Sequence, residues 1–292
     1  MKELNNNAAS SSDHRKIESI TAMLEILLAR QERFLQDERK VEFTWYRGHA
    51  DMQWELLPAV LRRWFRERVE LTSDYQPENH LRLLEKEKAL YADFRRRGIS
   101  LLSDKAINDD VALYFLAQHH GMPTRLLDWT QNPLTALFFA VVNPLETDGM
   151  LYVLDPSWPL NKEGITDWSK EHRSQHYLNA LFGPYHSSKQ LVIDVIKAIF
   201  VGANFSQSLN AIPIQPDLYA GRILQQASCF TLHGPTGLAS IPSPFVESYV
   251  IPKEYKVRIQ LELRQLNINW ATLFPDLDNL AREMRTEKGW NL

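Results

Sequence analysis

The stretch QHHGMPTRLLDWTQNPLTALFFAV, residues 118–141, decides how the chain folds, because it sets polar side chains that are costly to bury beside a long apolar run. Adjacent His119 and His120 precede a Gly121-Met122-Pro123 break, and Thr124, Arg125, Asp128, Trp129, Thr130 and Asn132 follow before the apolar run from Leu134 to Val142. Gly-Met-Pro ends the preceding helix, Thr124 to Thr130 reads as a short strand, and Asn132-Pro133 opens the next helix with proline in its first turn. A strand-to-helix junction leaves backbone N–H groups unpaired at the helix start. It admits two readings: Thr130 or Asn132 caps the helix, or both converge with those N–H groups on a phosphate or another anion. A cap alone leaves unexplained why Trp, Arg, Asp and two His crowd into the same segment, and buried charges need partners to be tolerated.

Composition narrows the remaining possibilities. With 292 residues, 44% of them hydrophobic and 11% aromatic, the chain can build one large packed domain or two modest ones. A formal charge of -3 argues against a generally cationic surface and leaves room for a local basic groove. One cysteine, Cys229, excludes an internal disulfide and a thiolate-rich metal site. The opening MKELNNNAASSSDHRK has no apolar core for a signal peptide, and no apolar run reaches the roughly eighteen residues of a membrane span, so a cytoplasmic protein without a membrane partner is expected. His119 and His120 are adjacent and therefore diverge on a helix, with no third ligand at metal-binding spacing, so no metal is expected. No Gly-x-Ser-x-Gly elbow, phosphate-binding Gly-Lys loop or Gly-x-Gly-x-x-Gly occurs, which removes support for hydrolase and kinase chemistry.

Outward from the central stretch, residues 1–13 read as a disordered tail and residues 14–40 as an amphipathic helix with Ile17, Ile20, Met23, Leu24, Leu27 and Leu28 at helical spacing. VEFTWYRGH, residues 41–49, is β-branched and aromatic, a strand that delivers Arg47 to a turn at Gly48. Arg62, Arg63, Arg66 and Arg68, interrupted by Trp64 and Phe65, form either a solvated helix face or a phosphate-tracking surface with an aromatic for stacking. Residues 80–118 form one long or two shorter helices, with Arg95 to Arg97 adding to the basic count. GMLYVLDP and QASCFTLHG are strands, QLVIDVIKAIF is helix or strand, and the C-terminal part supplies a strand region over 246–262 and closing helices. No internal repeat or linker divides residues 41–292.

Three segments together resemble the FRG family, named for a Phe-Arg-Gly motif: WYRGHADMQWELLPAVLRR, AQHHGMPTRLLDWTQNPLTALFFAV and GRILQQASCFTLHG, with LFPDLDNLA as a fourth echo. The naming triplet is here Tyr46-Arg47-Gly48, so Arg-Gly is kept and Tyr stands for Phe. A second, weaker resemblance is to the ADP-ribosyltransferase superfamily. There a first strand ends in an Arg or His that holds the phosphates and ribose of NAD, a second strand leads into a helix, and a late strand begins with a catalytic Glu or sometimes Gln. Tyr46-Arg47-Gly48, then Thr124 to Thr130 leading into Ala136 to Ala140, then Gln225-Gln226 ahead of Cys229 to Leu232 follow that order. The departure is Gln for Glu, since an amide cannot supply the charge that steadies an oxocarbenium-like transition state.

What the resemblances imply is an α+β protein with a mixed or antiparallel, split β-sheet of ADP-ribosyltransferase type. Its strands would lie near 43–47, 124–130, 150–154, 225–232 and 246–262, in one FRG-type catalytic domain over 41–292. The implied activity is NAD-dependent ADP-ribosyl transfer, as in a toxin or phage-defence effector, with NAD as substrate. Arg47, Gln226 and Asp128 would be catalytic. Arg47, Gly48, His119, Thr124, Arg125, Trp129, Thr130 and Asn132 would bind NAD, Arg47 gripping the pyrophosphate as a planar fork. The basic residues imply RNA or DNA as acceptor, and a toxin implies a neutralising antitoxin partner. The alternative is a sensor module whose pocket binds a nucleotide or nucleic acid without turnover.

Overall fold

The computed structural model describes residues 16–36, 44–66, 77–156, 187–201, 211–214, 227–234, 241 and 245–290. The tail over 1–13 and both Gln225 and Gln226 lie outside the described residues, as do Arg68 and the side chains of Arg63 and Arg66.

The architecture is α+β. In chain order the elements are α1 (Ile20–Gln36), β1 (Trp45–His49), α2 (Ala59–Arg66), α3 (Pro77–Gly98), α4 (Asp104–Asn108), α5 (Asp110–His119), β2 (Leu126–Thr130) and α6 (Pro133–Val141). β3 (Gly149–Leu154), α7 (Ser187–Val201), β4 (Ile212–Ile214), β5 (Ser228–Leu232), β6 (Val246–Ile251), α8 (Lys253–Gln265), α9 (Trp270–Leu273) and α10 (Leu277–Glu287) follow. The six described strands form one sheet in the order β4-β5-β2-β1-β3-β6. Every neighbouring pair is antiparallel, which decides between the mixed and antiparallel readings.

The expected strand region over 246–262 is corrected at its second half. β6 stops at Ile251, Pro252 takes the N-cap position, and KEYKVRIQLELRQ runs as α8, burying Lys256, Ile259 and Leu263 on one face. Those three positions follow the helical 3-4 spacing, not the alternation of a half-buried strand. QLVIDVIKAIF also resolves as helix, within α7, because Val195, Ile196 and Ile199 bury one stripe. Residues 80–118 hold three helices, α3, α4 and α5, and the start of α5 is fixed by the Asp109 carboxylate, which accepts from the N–H groups of Val111 and Ala112.

Two helical layers cover one face of the sheet. α1, α6, α8 and α9 pack on β3 and β6 through Met23, Leu137, Leu151, Val153, Ile251 and Ile259. α3, α5 and α7 pack on β2, β4 and β5 through Leu84, Tyr114, Leu126, Ile199, Ile212 and Phe230. The opposite face carries a smaller cluster around Trp45, Leu127, Trp129, Leu154 and Cys229. Between the two halves, β1 and β2 pair at Tyr46 and Thr130 alone, whereas β1 pairs with β3 over five residues and β2 with β5 over five. The sheet is therefore tight on both sides and parted in its middle.

Gly48 makes the seam beside this parting possible. A Cβ there would stand 1.9 Å from the Ala136 carbonyl oxygen and 2.6 Å from the Ala140 backbone nitrogen, so only glycine lets α6 lie against β1. Gly149 on β3 does the same, with an ideal Cβ 2.5 Å from the Ala140 oxygen. Lys256 is fully buried and pins this corner, its ammonium donating to the carbonyls of Ala50 at 2.5 Å and Pro144 at 2.6 Å.

Candidate functional site

Alternation along β1 sends Tyr46 and Gly48 toward α6 and sends Trp45, Arg47 and His49 to the other face. Arg47 stands where β1 and β2 part. Its side chain is 16% exposed, and it spans the gap: Nη1 donates to the Asp128 carbonyl at 2.5 Å and lies 4.0 Å from the Asp128 carboxylate. Nε donates to His49 Nε2 at 2.9 Å. Its other guanidinium N–H groups have no hydrogen-bond acceptor among the described residues. Burial lowers the Arg47 pKa to about 10, the Asp128 carboxylate opposing the shift and Arg62 adding to it, so the group is still a cation at neutral pH.

His49 is the partner that holds this cation in place. It is 2% exposed, packs edge-on to the Tyr152 ring at 5.0 Å, and its Nδ1 lies 3.2 Å from the Trp54 carbonyl. Burial, then the neighbouring Arg47, push its pKa down to about 3, so the ring is neutral. A carbonyl can only accept, hence the proton sits on Nδ1 and Nε2 is the lone pair that receives Arg47. Both hydrogen bonds fix the same tautomer.

Across the gap, Asp128 is the exposed member, with its side chain 56% accessible. Gln118 at the end of α5 donates from Nε2 to both carboxylate oxygens at 3.0 and 2.9 Å. The Gln118 side-chain oxygen, Oε1, accepts from the Thr124 hydroxyl, whose oxygen in turn accepts from Leu126 N–H at 3.1 Å. Thr124 thus orients Gln118, and Gln118 orients Asp128. The arrangement places one mostly buried cation and one accessible, hydrogen-bonded carboxylate on opposite lips of a parted sheet, which is a charge pair able to hold an anion and polarise a hydroxyl next to it.

The other residues singled out from the sequence divide by burial. Arg125 is fully buried and bound to Glu87, Nη2 to Oε2 at 2.7 Å and Nε to both oxygens at 3.0 Å, while Nη1 donates to the Gly234 carbonyl at 2.6 Å. Its cation is spent inside the fold. Trp129 is 3% exposed and donates from its indole N–H to Thr231 Oγ1 at 3.1 Å, so its ring is core. Thr130 accepts from Asn132 N–H at 3.0 Å and Asn132 accepts from Leu134 N–H at 2.9 Å, the capping arrangement at the start of α6. Gly48 faces α6 instead of the gap. His119 closes α5 beside His120, their rings at 5.1 Å and near perpendicular. Of the basic residues, Arg95 pairs with Asp110, and Arg96 and Arg97 both pair with Asp93.

Two residues central to this geometry, His49 and Gln118, carry no weight in the sequence reading. The alternation Arg47-x-His49 is the signal that could have found the first, since it places both on one strand face. Gln118 has no such signal, because its link to Asp128 depends on where α5 ends.

No curated protein and no solved structure matches the chain. Residues 42–149, which run from just before β1 through α6 to the first residue of β3 and include Arg47, His49, Gln118 and Asp128, match the family model of the FRG domain, so over that stretch the chain carries an FRG domain.

Proposed function

We propose that the parted centre of the sheet binds NAD and transfers its ADP-ribosyl group. The observation that carries this reading is Arg47: a mostly buried guanidinium at the edge of a gap, held by a neutral imidazole and a carbonyl, with N–H groups left over among the described residues and the Asp128 carboxylate only at 4.0 Å. A buried cation so lightly neutralised is stabilised by an anionic ligand, and a pyrophosphate matches its planar fork. The strand order of the resemblance, first-strand Arg, second strand into helix, late strand, is also the order of β1, β2 with α6, and β5.

In this reading Arg47 grips the pyrophosphate. Trp54, 39% exposed and 6.1 Å from the His49 ring, offers the accessible aromatic face that Trp129 does not. The bond from ribose C1′ to the nicotinamide nitrogen breaks, its electron pair neutralising the pyridinium, and the acceptor nucleophile bonds to C1′. Asp128, steadied by Gln118, stabilises the developing positive charge and receives the nucleophile's proton. Gln226 would orient the ribose hydroxyl from the start of the late strand. RNA or DNA is the proposed acceptor class, in a toxin-like protein with a neutralising partner. Arg62, whose charge reaches both Arg47 and His49, is a basic residue beside the proposed site.

Calorimetric titration of NAD into the wild type and into Arg47→Ala tests the reading. The expected result is saturable binding that weakens at least about thirtyfold in the variant, from the 2–5 kcal/mol carried by such charged contacts. Equal affinity in both proteins would refute it.

A further inference from the structure

We infer that a second ligand site lies apart from the Arg47 gap, in a concavity of about 380 Å³ bounded by the end of α6 and by α8, α9 and α10, and that it takes a small anion carrying a planar ring, the chemistry of a nucleoside monophosphate. The volume is near the lower end of the roughly 300–1,000 Å³ typical of small-molecule sites. None of its lining residues belongs to the Arg47 gap.

Charge is the first argument. Three guanidinium groups, Arg264, Arg282 and Arg285, line the concavity against one carboxylate, Glu283. Glu283 is buried and already committed: it pairs with Arg264 Nε at 3.3 Å and accepts from Trp270 N–H at 3.3 Å. Arg282 stands over the Trp270 ring, its Cζ 3.7 Å from the centroid, and forms no ion pair among the described residues. Arg285 is exposed and likewise forms none. Two cations without carboxylates thus face one hollow, and guanidinium pairs favour phosphate because their donors match its oxygens two at a time. The second argument is aromatic. Trp290 lines the same hollow and is 74% exposed, an unusual exposure for so large an apolar ring, and it offers a stacking face for a base.

Titration calorimetry of the full chain with adenosine 5′-monophosphate tests this, alongside adenosine and inorganic phosphate as separate arms. The expected result is saturable binding of the nucleotide with Kd below about 1 mM, with adenosine and phosphate each at least about tenfold weaker. Arg282→Gln and Arg285→Gln should each weaken the nucleotide about tenfold or more, and saturable binding that depends on Arg285 should persist in Arg47→Ala, which separates this site from the proposed NAD site. Arg285 is exposed, so its variant keeps the test valid even where loss of the Arg282 stack unfolds the C-terminal helices. No saturable binding, equal binding in Arg285→Gln, phosphate or adenosine binding as tightly as the nucleotide, or loss of binding in Arg47→Ala would each overturn the inference.

Discussion

Arg47 and His49 stand two residues apart on one face of β1, and the arginine Nε donates to the histidine Nε2 at 2.9 Å while Nδ1 faces the Trp54 carbonyl at 3.2 Å. The imidazole is thereby a one-way acceptor. His49→Phe keeps a ring in place and removes that acceptor, leaving a buried donor unpaired at a cost of about 1–3 kcal/mol. NAD affinity should fall about tenfold, and His49→Gln, whose amide oxygen can accept from Nε, should recover part of it. Calorimetry on the two variants checks this, and equal loss in both would count against the orienting role.

The same histidine sets a pH dependence. Its folded pKa, about 3, lies below the ordinary value of 6.5, so between these values the unfolded chain binds a proton that the folded protein refuses. Stability from this group is fully present above pH 6.5 and declines as pH falls toward 3, by up to about 1.4 kcal/mol per unit. Urea unfolding at pH 7 and pH 5 should show the decline in the wild type and a shallower one in His49→Phe.

Gly48→Ala should be among the most damaging small substitutions in the chain. The added methyl would stand 1.9 Å from the Ala136 oxygen, backbone that cannot move without shifting α6 off the sheet. Overpacking of this kind costs about 1–3 kcal/mol or more. Thermal melting should show a large loss of Tm or no folded protein, and a near-wild-type melt would contradict the seam.

Arg47 and Arg125 should fail in different ways. Arg125 and Glu87 are a fully buried ion pair, so Arg125→Leu strands a carboxylate in the core at about 3–5 kcal/mol, and Tm should fall steeply. Arg47→Ala should leave Tm nearly unchanged. Melting curves of the two variants, run side by side, tell them apart.

What the sequence made legible is what depends on local periodicity. β1 and β2 fall where β-branched and aromatic runs and the Gly-Met-Pro break put them, and Asn132-Pro133 opens α6. The candidate site was read at Arg47 and Asp128, and the structure brings those two within 4.0 Å of each other. It was misjudged at Arg125 and Trp129, because a polar residue in a strand looks the same whether its partner is a ligand or Glu87 or Thr231, far off in sequence. The run over 253–262 was misjudged for another reason: Val257, Ile259 and Leu261 alternate like a strand, yet only Ile259 of the three is buried, and Pro252 starts a helix there.

A nucleic-acid acceptor implies a further result. Arg96 and Arg97 share the exposed Asp93, and exposed pairs contribute little to stability, so Arg96→Ala with Arg97→Ala should melt within about 1 kcal/mol of wild type. Arg62→Ala should reduce the salt dependence of RNA binding by about one unit of slope, and the double variant should change it less.

The most direct measurement is transfer itself: purified protein incubated with NAD labelled on the adenylate phosphate, in the presence of RNA, DNA and protein acceptors. Wild type should place label on an acceptor, with free nicotinamide released in equal amount. Arg47→Ala and Asp128→Ala, folded by thermal melting, should lose at least about a hundredfold in rate, roughly 3 kcal/mol of transition-state stabilisation. Absence of label on every acceptor, or transfer at the wild-type rate by both variants, would contradict the assignment of the Arg47 gap as a site of ADP-ribosyl transfer.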